Sequence, residues 1–171
     1  LYMYMYTHPG KKLNFMGNEI AQFREWDEKR EQDWQLIKMP LHYAFNKYIK
    51  RLNEVYDNYE ALYKNEYDSS YFKWLEVNAP EKSVYIYERG RSDHRIIVAL
   101  NFSDNEYAPF TFKVEEELRL REIVNSDSDI YGGSTWGIRS DVTTTKEDNY
   151  LYNLSINLKP FSGIIYEVVN D

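Results

Sequence analysis

The hydrophobic pattern of this chain changes once, close to residue 70, and that change restricts the fold more than any other feature. Before it, apolar side chains recur every three or four residues, as on one face of an α-helix. After it, short apolar runs alternate with turn residues, as in β-strands. The 171-residue chain is therefore expected to hold one domain, or one domain and a piece of another.

The helical pattern predicts one clear helix, which begins at Met39-Pro40 and ends near Asp57-Asn58. Proline suits the first helical position, because an N–H there would have no partner within the helix. The apolar face of this helix is predicted to consist of Leu41, Ala44, Phe45, Tyr48, Ile49, Leu52, Val55 and Tyr56. Residues 59–70 are polar and are the expected connector between two domains.

Seven β-rich runs follow the connector, and turn signals such as Asn78-Ala79-Pro80 and Gly90-Arg91-Ser92-Asp93 separate them. The runs cover residues 72–77, 84–89, 96–102, 110–114, 118–125, 151–158 and 164–169. Short strands at this spacing predict an antiparallel sandwich or barrel of about a hundred residues.

The N-terminal part begins with residues 1–7, which are apolar on all sides and are expected to form either a helix end or a strand. Residues 13–16 then read as a short buried strand that stops at Gly17, with Glu19 just beyond. In a (β/α)8 barrel, substrate-binding groups lie at such strand ends. A chain of 171 residues is too short for that barrel, so we expect the last part of a larger protein.

A charge-rich loop is predicted over residues 17–38, and loops of this length inside a compact domain are usually functional. Its candidate acids are Glu19, Glu25, Asp27 and Asp33. A glycosidase site needs two placed carboxyl groups, and spacing alone does not show such a pair. The simpler interpretation is that these carboxylates are solvated or bound to nearby arginines.

Other chemistry receives little support from the sequence. The chain has no cysteine and three histidines, and it lacks a nucleophile-elbow motif, so nucleophilic catalysis is disfavoured. No spacing suits a zinc, calcium or phosphate site, so we expect no metal and no cofactor. His42, near the start of the predicted helix, is expected to have a structural role.

Charge and composition also restrict the partners. The net charge of −7 argues against nucleic acid and against an anionic membrane surface. No apolar run is long enough to span a membrane, and the absence of cysteine suits a cytoplasmic protein. Aromatic residues make up 17% of the chain, which fits either sugar contact or, more simply, packing in β-sheets.

Several runs resemble bacterial 1,4-α-glucan (glycogen) branching enzymes of the α-amylase superfamily. The resemblance rests on residues 11–19 (KKLNFMGNE), 22–26 (QFREW), 33–34 (DW), 52–56 (LNEVY), 61–62 (AL), 99–103 (ALNFS), 125–127 (NSD) and 131–133 (YGG). These runs keep the family's order and cover nearly the whole chain, so together they are far more specific than any one motif.

The resemblance implies an α+β fragment. Residues 1–66 would be the end of a (β/α)8 barrel, with its eighth strand and last helix, and residues 67–171 would be the C-terminal all-β antiparallel sandwich. It also implies that a loop bearing Glu19, Phe23, Trp26 and Trp34 borders the glucan cleft and contacts substrate. The family's aspartate nucleophile, glutamate acid/base and second aspartate precede the eighth strand, so no catalytic residue is assigned here.

The parent protein would use α-glucan, namely glycogen or amylose, and transfer α-1,4 chains to form α-1,6 branches, while this chain alone would be inactive. One alternative is a non-catalytic β-sandwich that binds glucan or supports the barrel. A second is the C-terminal part of a debranching enzyme or another member of the superfamily. Residues 1–6, the predicted strand and the apolar face of the 40–57 helix would pack against a barrel and would be exposed here, so we also expect partial rearrangement or a homodimer through them.

Overall fold

The computed structural model describes residues 1–78, 80–137, 141–148 and 150–169, and all structural statements concern these ranges. The helices are α1 (Tyr2–Thr7) and α2 (Pro40–Asn58). The strands are β1 (Phe72–Glu76), β2 (Val84–Arg91), β3 (His94–Asn101), β4 (Tyr107–Val114), β5 (Arg119–Asn125), β6 (Val142–Thr143), β7 (Thr145–Lys146), β8 (Tyr152–Leu158) and β9 (Gly163–Val169).

Periodicity located the regular elements well. The predicted helix coincides with α2, which has proline at its first position and ends before the extended residue Tyr59. Residues 1–7 form a helix end rather than a strand. The seven predicted strands are confirmed as β1 to β5, β8 and β9, while β6 and β7 are two residues long and carry no sequence signal. Ala79, within one predicted turn, lies outside the described residues.

The strand predicted over residues 13–16 is wrong. This segment has irregular backbone, and the exposed fractions of Leu13, Phe15 and Met16 are 73%, 49% and 50%, so it is not buried either. A strand needs a neighbour that binds its N–H and C=O groups. None of the strands in the described ranges pairs with this segment.

Two antiparallel sheets form the predicted sandwich. The six-stranded sheet has the order β1-β2-β3-β9-β5-β6, and the three-stranded sheet has the order β4-β8-β7. Apolar side chains from both sheets meet in one core, which includes Ile97 of β3, Phe112 of β4, Leu120 of β5 and Leu154 of β8. The all-β part therefore has the architecture that its strand spacing predicted.

The opposite face of the six-stranded sheet is also buried, because α1 and α2 lie against it. Along β3, the side chains of Ile96 and Val98 face the helices, whereas that of Ile97 faces the sandwich core. Successive strand residues point to opposite faces, so β3 is apolar on both sides. From α2, Ile49 and Leu52 pack on this helix-facing surface, and both are almost fully buried.

This packing corrects one expectation from the sequence. The apolar face of α2 was expected to be exposed, yet the six-stranded sheet covers most of it. Leu41, which was predicted to lie on that face, does remain exposed, as do Leu13 and Phe23. Among the described residues, no helix is both long and apolar enough to cross a membrane.

Leu52→Ala tests whether α2 and the six-stranded sheet share a core. Leu52 is 1% exposed, so we expect its truncation to lower the free energy of unfolding by about 2–5 kcal/mol. Leu41→Ala, on the same helix but 73% exposed, is the control and should change it by less than about 0.5 kcal/mol. Urea denaturation followed by far-UV circular dichroism measures both, and equal effects would contradict the shared core.

Candidate functional site

The four residues predicted to contact substrate lie on one loop between α1 and α2. We call residues 13–34 the aromatic loop. Glu19 lies in a short 3₁₀ turn, Asn18–Ile20, and Trp34 begins another, Trp34–Lys38. Phe23 and Trp26 lie between these turns, so the structure places all four on one excursion of the chain.

A tight turn at Gly17 precedes the four residues that are predicted to contact substrate. Gly17 has φ of +89°, a left-handed conformation that favours glycine, and its carbonyl accepts hydrogen bonds from the N–H groups of Ile20 and Gln22. A Cβ at this position would lie 3.0 Å from Gln32 Oε1 and 3.1 Å from Gln22 Cβ. The turn therefore requires glycine for its backbone conformation and for the space beside it.

Polar side chains close the loop on itself. Arg24 Nη2 lies 3.1 Å from Asp33 Oδ1 and also donates to the Glu31 carbonyl at 2.7 Å. The Gln22 side chain accepts from the Asp33 N–H at 2.9 Å and donates to the Arg24 carbonyl at 2.9 Å. The interpretation of Asp33 as a carboxylate bound to an arginine is confirmed, and Asp27 likewise lies 3.5 Å from an arginine nitrogen.

Glu19 is directed into its own turn. Its Oε2 accepts a hydrogen bond from the Gly17 N–H at 3.1 Å, and its carbonyl accepts one from Asn46 Nδ2 at 2.9 Å. His42 Nδ1 donates to the Ile20 carbonyl at 2.8 Å, and the ring is buried, as expected for a structural histidine. Two side chains of α2 thus fix the turn, and Glu19 contributes to its shape.

The aromatic side chains of the loop face solvent. Phe23 is 86% exposed and meets the His42 ring edge-on, with 5.0 Å between centroids. Trp26 is 38% exposed and packs edge-on against Phe15 at 5.9 Å. Trp34 is 46% exposed. Within the described ranges no ring contact joins these three residues to one another, so they are on one loop but do not form a single stacked platform.

Phe15 was not among the predicted site residues, because residues 13–16 were predicted to form a buried strand. The apolar side chains of Leu13, Phe15 and Met16 favour burial, yet each of them is at least 49% exposed. The cavities do not identify this site either. One of about 490 Å³ is lined by residues such as Glu122, Asn157 and Tyr166, within the sandwich rather than at the loop.

The loop offers exposed aromatic surface beside charged side chains. Arg24 pairs with Asp33, Asp27 lies beside Arg30, and the Glu19 carboxylate is held by backbone, whereas Glu25 is exposed to solvent. In the described part of the chain, no group of three potential metal ligands occurs. The exposed aromatic surface suits the apolar faces of sugar rings.

Gly17→Ala tests whether the turn shapes the loop. We expect a loss of about 1–3 kcal/mol in the free energy of unfolding, because the Cβ adds backbone strain and displaces Gln32 and Gln22. Gly10→Ala is the matched control, since Gly10 also has positive φ but its Cβ would meet nothing within 4 Å. Guanidinium denaturation followed by tryptophan emission measures both, and a Gly17→Ala variant as stable as the wild type would contradict the requirement for glycine in this turn.

Comparisons with known proteins agree with this fold. Residues 74–169 match the family described as the alpha amylase C-terminal all-beta domain. The 1,4-alpha-glucan branching enzyme GlgB of Oceanobacillus iheyensis is 42% identical over 136 residues, which is 78% of this chain and 21% of that protein. The GlgB of Salinibacter ruber is 36% identical over 169 residues, which is 98% of this chain and 27% of that protein.

Solved structures show the same fold at lower identity. An Anoxybacillus alpha-amylase superposes with a TM-score of 0.67 at 18% identity, covering 99% of this chain and 31% of that one. A debranching enzyme from Nostoc punctiforme gives 0.63 at 16% identity, covering 96% and 29%. The chain spans about a quarter of the length of the curated relatives it matches. On the match over residues 74–169, the chain belongs to the family of alpha-amylase C-terminal all-beta domains.

Proposed function

We propose that this chain is the C-terminal part of a 1,4-α-glucan branching enzyme and that its aromatic loop contacts the glucan. The observation that carries the proposal is identity of 36% to a GlgB over 169 residues. That alignment extends beyond residues 74–169, so it includes the helical part and the loop as well as the all-β domain.

The parent protein would cleave an α-1,4 bond with retention, through a glycosyl-enzyme intermediate, and pass the chain to a 6-hydroxyl to make an α-1,6 branch. Residues 1–66 would supply the end of a (β/α)8 barrel, with α2 as its last helix, and residues 67–171 would be the C-terminal domain. The three catalytic acids would belong to other parts of the parent, and this chain would be inactive alone. The reaction would need no cofactor, and the parent protein would be cytoplasmic.

The loop's role in this reaction would be to hold the glucan beside the catalytic acids. Phe23, Trp26 and Trp34 offer exposed rings that can stack on sugar faces, while Glu19 stabilises the turn that presents them. Arg24 pairs with Asp33, and acidic residues outnumber basic ones over residues 13–34. A surface of this kind suits an uncharged polysaccharide better than a nucleic acid or an anionic membrane.

A second function, glucan binding without catalysis, is favoured by one specific observation. The loop exposes the rings of Phe23, Trp26 and Trp34, which can stack on sugar without any bond being cleaved. The alternative that this chain is part of a debranching enzyme rests on a fold likeness at 16% sequence identity. The sequence identity to branching enzymes is higher, at 42%. Self-association through Leu13, Phe15 and Leu41 is compatible with their exposure.

Trp26→Ala and Trp34→Ala test glucan contact at the loop. Each is expected to weaken maltoheptaose binding about fivefold, since a stacked ring contributes about 1 kcal/mol beyond its buried area. Trp136→Ala is the control, because Trp136 is 81% exposed but lies on the loop after β5. Isothermal titration calorimetry measures all three.

The proposal would be contradicted if Trp136→Ala weakened binding while both loop variants bound as the wild type does. A wild-type chain without measurable heat of binding, at millimolar maltoheptaose, would remove the loop's assigned role.

A further inference from the structure

A buried ionic cluster lies where α1, the connector after α2 and strand β2 meet. It contains Lys12, Glu66 and Arg89. The side chains of Lys12 and Glu66 are 12% and 4% exposed, and Arg89 is 1% exposed. Charged side chains are rarely this buried unless they are paired or hydrogen-bonded. No local pattern indicates this cluster, because its members lie more than twenty residues apart in the chain.

Lys12 closes the turn that leads into the aromatic loop. Its Nζ donates to the His8 carbonyl at 2.6 Å and to the Gly10 carbonyl at 2.8 Å, and it lies 3.7 Å from Glu66 Oε1. It also lies over the ring of Tyr56, 5.4 Å from the centroid. Two carbonyl oxygens and one carboxylate oxygen thus surround the ammonium group. These contacts hold residues 8–12 in a closed turn.

Glu66 connects this turn to the rest of the fold. Tyr56 Oη, on the last turns of α2, donates to Glu66 Oε1 at 3.3 Å. Burial lowers the pKa of Lys12, and the attraction of Glu66 opposes that change. The same carboxylate favours the charged form of Arg89, whose pKa burial also lowers. One buried carboxylate therefore compensates two buried cations.

Arg89 extends the cluster into the six-stranded sheet. Its Nη1 donates to the Thr7 carbonyl at the end of α1, at 2.5 Å, and its Nη2 donates to the Leu62 carbonyl at 3.3 Å. Thr7 Oγ1 is in turn hydrogen-bonded to Tyr87 Oη on the same strand. The end of α1 is therefore attached to β2 immediately before the turn that Lys12 closes.

These contacts form a continuous connection from the sheet to the loop. Strand β2 holds the end of α1 through Arg89, and the connector holds residues 8–12 through Glu66 and Lys12. The next residues, 13–16, are exposed and unpaired with any described strand, so they do not fix the direction of the loop themselves. Asn46 and His42 of α2 attach the loop at its first turn as well.

We propose that Lys12 and Glu66 are positioning residues for the aromatic loop: their buried pair sets the direction in which residues 13–34 leave the six-stranded sheet. The consequence for glucan affinity rests on the proposed function, whereas the consequence for loop order does not. Removing one partner leaves the other charge buried and uncompensated, which favours local opening of this region.

A matched control pair is present in the connector itself. Lys64 and Glu60 form an ion pair at 2.8 Å, but their side chains are 58% and 42% exposed. Exposed pairs contribute little to stability, because water and salt screen them. Lys64→Met therefore removes the same type of charge from a nearby position without exposing a buried partner.

Limited trypsin digestion under native conditions measures loop opening directly, since Lys29 and Arg30 are exposed cleavage positions within the loop. We expect Lys12→Met and Glu66→Gln each to speed cleavage after these residues about tenfold, the effect of an opening equilibrium shifted by about 1.4 kcal/mol. Lys64→Met should change the rate less than about twofold. Maltoheptaose affinity, measured by calorimetry on the same variants, should fall in parallel.

The outcomes separate the two claims. Glu66→Gln keeps the side-chain shape and is used alone if Lys12→Met does not fold. Loop cleavage at the wild-type rate in Glu66→Gln overturns the positioning role. So does faster cleavage spread over the whole chain, which indicates global destabilisation. If the loop opens in both variants but the wild type does not bind maltoheptaose, positioning is upheld and the proposed function fails.

Discussion

The burial of the six-stranded sheet on both faces is the constraint on which the rest of this structure depends. A strand such as β3, with apolar side chains pointing both ways, cannot be stable with one face in water. The three-stranded sheet covers one face, and α1 with α2 covers the other. The helical part is therefore required by the sheet, and the loop between the helices has a fixed base.

That base explains how a solvent-exposed loop can be ordered. The loop buries Ile20 in its first turn, whereas Phe23 is 86% exposed and Trp34 is 46% exposed. Its order derives from its ends and its first turn: Lys12 at the entry, Gly17 in the turn, and the side chains of α2 beneath it. The helices and the six-stranded sheet thus form a rigid base for the exposed aromatic loop, an arrangement that is common in proteins whose loops carry function.

Much of the fold could be predicted from the sequence, because local periodicity determines it. The 3.6-residue pattern located α2, and alternating runs located seven strands. The prediction failed over residues 13–16, where an apolar alternation exists but strand pairing does not, and pairing is a non-local property. The sequence also predicted that Glu19, Phe23, Trp26 and Trp34 lie on one loop, and the structure has them there. It did not predict the partners of Glu19 or the Lys12–Glu66 contact, because these depend on tertiary packing that periodicity does not encode.

We propose that this chain contributes glucan contact to a branching enzyme and none of its catalytic acids. The most direct measurement is the formation of α-1,6 linkages from amylose by this chain alone and by the full-length product of its gene. We expect branches from the full-length product and none from the chain. Branch formation by the chain alone, or its absence from the full-length product, would contradict the account.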